Sequence, residues 1–319
     1  LIGVGAAVFS MMCSFAEQLV AFGKLFVGIT GLPSWVLMLT FGIINCLFLL
    51  PAGLKSVSWT DFVFGCIMLV MCVLSLFFVF RLPGAGLANA KLALDPKFSE
   101  FPKGIWGVGS SQIMAWLFTV FPGSVSRQPY LARIFAAKDV KTAKRGFFIA
   151  AILCFAVEVW VCLMGLNIHA ANPNLTDPEL ASGWFLANTP FWFTVLYGAF
   201  LAVATVSTAD SLLEGLVSQI SRDVYKRVIN PEIDEVRLKT ISRWIAVLLT
   251  ALGLTNAIVF PEAMGWNMYG FSVGAVVLAV PLLGGFFLKD KKFCTPTGCI
   301  AAMIAGMVGA LVRLNLIKS

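Results

Sequence analysis

The sequence predicts an all-α, polytopic membrane protein, and three observations carry that prediction. Hydrophobic residues make up 59% of the 319 residues and charged residues only 12%, about half the share of an average soluble domain. Nine mostly apolar runs are each long enough to cross a bilayer as a helix, which takes about 20 residues. The runs are solidly apolar and lack the alternation over about 10 residues that marks a membrane-spanning strand. This composition excludes a soluble enzyme, a disordered chain and a nucleic-acid binder.

The runs lie near 2–22, 33–54, 60–80, 105–128, 146–167, 190–219, 241–260, 265–287 and 296–315. The first carries a single charge, Glu17, and the second carries none. The third opens at Asp61, where a carboxylate meets the positive end of the helix dipole. The fourth contains Gln112, Trp116 and then Pro122-Gly123, which should interrupt the helix at membrane depth. Backbone freed by such a break is tolerated where it lines a cavity or packs in protein, and a simple proline kink is the other reading. The fifth carries Glu158, which, like Glu17, has no partner evident from the sequence.

The sixth run holds the strongest polar constellation. Ser207, Asp210 or Ser211, Glu214, Ser218 and Ser221 recur at steps of three and four, which places them on one helical face beside Thr205 and Thr208. Hydroxyl and carboxylate oxygens suit an alkali cation or a proton path. A polar seam between helices would explain the hydroxyls alone, and two acids one turn apart less well. The seventh and ninth runs hold little chemistry, and residues 263–288, which include the eighth, carry no charge.

Lys and Arg set the orientation. Segments 127–145, 222–243 and 289–292, together with Lys55, hold 16 of the 23 basic residues, and these are assigned to the cytoplasm. Loop 168–189 has Asp177 and Glu179 but no Lys or Arg, and faces out. The net charge of +7 is therefore topological and calls for no nucleic acid. Asn174-Leu175-Thr176 is a glycosylation sequon on the outer loop. Trp160, Trp184, Trp192 and Trp266 read as interfacial belt residues. Seven of the eight cysteines fall in apolar runs with no CxxC spacing, so they read as buried apolar thiols. The single His169 leaves no catalytic dyad or His-rich metal site. The chain begins at Leu1 inside an apolar run, with no basic segment or cleavage site, and reads as a fragment whose N-terminal part is missing.

Four segments, in order, resemble the sodium:solute symporter family. Ala52-Gly53-Leu54-Lys55-Ser56-Val57-Ser58-Trp59-Thr60-Asp61 is similar to its Gly-Gly-x-x-Ala-Val-x-Trp-Thr-Asp signature. The stretch from Gln128 through Arg133 to Ala136-Ala137-Lys138-Asp139 is similar to its Gln-x-x-x-x-Arg-x-x-Ala-Ala-Lys-Asp segment. Ala204-Thr205-Val206-Ser207-Thr208-Ala209-Asp210-Ser211 resembles its sodium-site helix, and Asp223-Val224-Tyr225-Lys226 resembles the end of that helix.

The resemblance implies a LeuT-type, five-plus-five inverted-repeat transporter. Residues 1–319 then form one transmembrane domain, with core helices three to ten at about 1–287, a post-core helix at about 296–315 and the first two core helices absent. It implies Na⁺ as the coupling ion. The principal sodium site comprises the Ala204 carbonyl, Ser207 and Thr208, and a second site comprises Asp61, Ser207, Asp210 and Ser211. Solute is expected near Phe121, Ser124, Gln112 and Trp116. Phe64 stands where the family often has Gln, Ala52 replaces the first signature Gly, and Val120–Ser124 lacks the amide and aromatic cluster of sugar-carrying members. Gln128-Pro129 with Leu131-Ala132-Arg133 looks closest to the proline and pantothenate branch. The implied activity is sodium-coupled symport of proline, pantothenate or a monocarboxylate across the cell membrane. Proton coupling through Asp210, or a sensor or channel on the same scaffold, is the alternative.

Overall fold

A helix satisfies its backbone hydrogen bonds within one segment, so long apolar runs fold as helices wherever water is scarce. The computed structural model describes residues 2–49, 54–100, 102–288 and 295–316, with the side chains of 48–49, 54–61, 128–129, 132–133 and 310–316 outside the described residues. Helices stand at all nine predicted runs. They are α1 (Ile2–Thr30), α2 (Ser34–Leu49), α3 (Leu54–Val79), then the connector helices α4 (Leu87–Ala93) and α5 (Pro96–Ser99) before α6 (Ser110–Val125). There follow α7 (Gln128–Phe135), α8 (Val140–Ala171), α9 (Ala181–Ala187), α10 (Phe191–Ser218), α11 (Glu235–Val259), α12 (Ala263–Val273), α13 (Val280–Phe287) and α14 (Pro296–Leu316). Among the described residues, six helical segments are long and apolar enough to cross a membrane.

The long α1 is the central post. It packs against α2, α9, α10, α11 and α12. Its residues Met11, Phe15, Leu19 and Val20 join Met38 and Phe41 of α2, Leu212, Leu213 and Leu216 of α10, and Leu249 of α11 in one buried cluster. A second cluster joins Leu25 to Met71 and Val79 of α3, Ile168 of α8, and Phe193 and Tyr197 of α10. Glycine allows the closest approach. A Cβ on Gly28 would lie 2.7 Å from the Gly183 carbonyl oxygen, so α1 and α9 meet backbone to backbone. The outward faces stay apolar: on α8, Phe148, Ile149, Ile152 and Phe155 are all exposed, as hydrocarbon contact requires.

Four expectations are corrected here. The chain does not break at Pro122. The α6 helix continues through it, and the Ser124 hydroxyl donates to the Val120 carbonyl at 2.7 Å. The interruption falls at Ser126–Arg127, before α7 begins at Gln128. Proline forfeits one hydrogen bond and crowds the preceding turn, and three more residues of α6 can follow it. The α3 helix starts at Leu54, so Asp61 stands about two turns inside it and not at its opening. Trp160 is no belt residue, because its indole N–H donates to the Ser75 hydroxyl at 2.8 Å across α8 and α3. Among the cysteines, Cys13 and Cys72 are buried, but Cys66, Cys154 and Cys162 are exposed. A small thiol suits a lipid-facing surface as well as a core. Cys294 lies outside the described residues.

Candidate functional site

Four of the residues expected to hold a cation, Ala204, Ser207, Thr208 and Ser211, line a cavity of about 480 Å³ beside α1. All four belong to α10 and form one wall. Across from them stand Ser14, Glu17 and Gln18 of α1 and Asn267 of α12. Phe64, Gly65 and Met68 of α3 close a further side, and Arg127 and Tyr130 complete it from the α6–α7 interruption.

The α10 wall is lined by hydroxyl and carbonyl oxygens. The Thr208 hydroxyl donates its one proton to the Ala204 carbonyl at 3.0 Å, which leaves the lone pairs of the hydroxyl available. Steps of three and four keep residues 204, 207, 208 and 211 on the cavity side of the helix. Asp210 is one position off that face and does not line the cavity. Its Oδ1 is shielded from solvent and has no hydrogen-bond partner. The polar stripe also loses its register below Ser218, because residues Gln219–Ile229 form a π-helix with wider turns. The Asp61 side chain lies outside the described residues.

The four expected solute residues are not brought together. Gln112 and Trp116 line a separate cavity of about 310 Å³ against Tyr269 and Ser272. Ser124 lines a third, of about 760 Å³, between α7 and α8. Phe121 is 68% exposed on the outer surface of α6.

Three residues that the sequence did not pair converge instead. The Glu17 Oε1 accepts from the Asn267 amide at 2.5 Å, although 250 residues separate them. Arg127, counted among the cytoplasmic charges, turns into the protein, and its Cζ lies 3.6 Å from the Phe271 ring centre. Its position as the only charge inside run 105–128 was the available signal. Metal ligation by clustered acids, Cys or His is not formed among the described residues.

At the outer end, Lys24 of α1 reaches loop 168–189. Its ammonium donates to Asp177 at 2.8 Å and to Glu179 at 2.6 Å. Glu179 also accepts from the backbone N–H groups of Ala263 and Met264, the first residues of α12. The positive helix end and the ammonium thus share one carboxylate. This latch brings the end of α1, the loop and the start of α12 together.

Long apolar helices packed around a cavity with polar walls have the architecture of a multi-pass membrane protein. The chain belongs to the sodium:solute symporter family, whose sequence model matches residues 3–306. It is 30% identical over 317 residues to the high-affinity proline transporter of Bacillus subtilis, covering 94% of this chain and 64% of that protein. It is 27% identical over 323 residues to the sodium/pantothenate symporter of Haemophilus influenzae, covering 97% of this chain and 64% of that one. The chain thus spans 64% of the length of both curated relatives. Its fold is that of a Na⁺-coupled sialic acid symporter solved substrate-bound and outward-open, with a TM-score of 0.70 and 15% identity, covering 98% of this chain and 74% of that chain.

Proposed function

We propose that the protein carries out sodium-coupled symport of a small organic solute, an amino acid such as proline or an organic acid such as pantothenate, by alternating access. The observation that carries this reading is the oxygen wall of α10, Ala204 to Ser211, opening on a cavity that also holds Glu17, Asn267 and Arg127. Na⁺ is a substrate here, held at the Ala204 carbonyl, Ser207 and Thr208. Asp61 precedes the cavity residues Phe64 and Gly65 by one helical turn and, with Ser211, would serve a second ion. Inward movement of one Na⁺ gains ~2.3 kcal/mol per 100 mV, which drives the solute uphill. The wall residues belong to α10 while the solute-facing polar groups belong to α1 and α12, so ion and solute both act on how these helices pack.

Uptake into proteoliposomes tests the proposal. Labelled proline or pantothenate accumulates only with an inward Na⁺ gradient, and Thr208→Val, which keeps shape and removes the hydroxyl, weakens sodium dependence about 10- to 100-fold. Uptake that follows a pH gradient and ignores Na⁺ shifts the coupling ion to H⁺. Asp210 favours that second reading, with a buried oxygen that has no partner.

A further inference from the structure

We propose that Arg127 is a carboxylate anchor, and that the cavity takes a small carboxylic acid that also carries a hydrogen-bond donor. The proposal rests on the solute-transport reading above and names the chemistry that its site selects. Arg127 Nε and Nη2 are both shielded from solvent, and neither has a hydrogen-bond partner. These two N–H groups lie on the same edge of the guanidinium and point in parallel, at the spacing of the two oxygens of a carboxylate. Among the described residues nothing else consumes that edge. The plane is fixed through its face by the Phe271 ring, 3.6 Å from Cζ. Gly270 leaves room for the group, since a Cβ there would stand 3.4 Å from Nη2.

An unpaired guanidinium inside a protein is costly, and a bidentate anion removes most of that cost. Among the described residues no carboxylate hydrogen-bonds that edge, and Glu17 reaches the guanidinium through its charge alone. Glu17, which lines the same cavity, has Oε1 engaged by the Asn267 amide at 2.5 Å. That contact in turn leaves the Asn267 Oδ1 buried without a donor. Two donors of Arg127 and one acceptor of Asn267, both lining residues of the cavity, are therefore left unpaired. Its volume of about 480 Å³ is within the range for small-molecule sites. A solute with a carboxylate for Arg127 and an N–H or O–H for Asn267 satisfies all three groups at once. An amino acid and a hydroxy or amido acid both meet that description, and a neutral sugar does not.

The test uses the protein as its own cell produces it, in proteoliposomes, with two matched probe pairs: proline against prolinamide, and pantothenate against its alcohol analogue panthenol. Solute binding and binding of radiolabelled sodium are measured together. In the native protein, at least one carboxylate probe binds about 10- to 100-fold more tightly than its neutral partner, the range for a hydrogen bond to a charged group. Arg127→Gln removes that preference and keeps sodium affinity within about threefold. Arg127→Lys keeps the charge without the fork and retains only part of the preference. It decides the matter if the Gln variant loses sodium binding through misfolding. Equal binding of acid and neutral probes, binding of no carboxylate at millimolar concentration, or a preference unchanged in both variants overturns the anchor. A carboxylate preference indifferent to Na⁺ keeps the anchor and removes the symport reading. Sodium-driven uptake without any carboxylate preference does the reverse.

Discussion

Lys24 sits inside an apolar helix and keeps its charge because two carboxylates reach it from a loop more than 150 residues away. Burial pushes the Asp177 and Glu179 carboxyls up. Hydrogen bonds from the Lys24 ammonium and from backbone N–H groups outweigh that and hold both below their ordinary values of 3.8 and 4.5. A depressed carboxylate contributes stability that is complete above its ordinary value and is lost as pH falls through the folded value. Lys24→Met is therefore expected to lower unfolding stability by about 2 kcal/mol, less than for a fully buried pair because both carboxylates keep some contact with water. The difference between native and variant unfolding midpoints should stay level from about pH 8 to pH 5 and shrink below about pH 4. A difference that already shrinks near pH 6 would assign the effect to another group. Arg127 and Lys24 show what single residues reveal in a sequence. Each stands out as a charge in an apolar run, but neither reveals its partner, since partners are set by distance in space and not along the chain.

Helix existence and length were legible in the runs, because a bilayer imposes about 20 residues on any spanning helix. Helix interruptions were less so. Pro122 marked the right neighbourhood, but the chain leaves the helix at Ser126–Arg127, and Phe121, Gln112 and Trp116 do not line the cavity beside α10. The π-helical turns at Gln219–Ile229 and Gly274–Ala279 leave no pattern that a 3.6-residue period detects. Close helix pairs are also invisible in sequence, because small residues serve packing and flexibility alike. Gly28→Ala is expected to destabilise the protein by about 1–3 kcal/mol, since a Cβ there meets the Gly183 backbone at 2.7 Å. Gly146→Ala in α8, with nothing within 4 Å, should be neutral or stabilise by up to about 1 kcal/mol. Thermal unfolding of the two variants in the same detergent separates packing from helix propensity. Equal midpoints would contradict the close α1–α9 contact.

At the scale of the whole molecule, coupling is a property of two sites that share one set of helices. If Na⁺ at the α10 wall raises solute affinity by some factor, bound solute must raise Na⁺ affinity by the same factor. Titrations of each ligand at saturating and zero concentrations of the other should return equal factors, about 5- to 150-fold for a coupling of ordinary strength. Unequal factors would mean that the two ligands do not report on one equilibrium. The sequence by itself determined the helical membrane class and the α10 oxygen wall. These follow from local rules: run length and helical spacing within a single segment. Only the tertiary structure decided which helix faces meet, that Asp210 turns away from the cavity, and that Glu17, Arg127 and Asn267 converge on it. In hydrocarbon the inward and outward faces of a helix are both apolar, so hydropathy carries no record of which face turns in. The cavity arises only where α1, α10, α12 and the α6–α7 interruption bring their few polar groups to the same place.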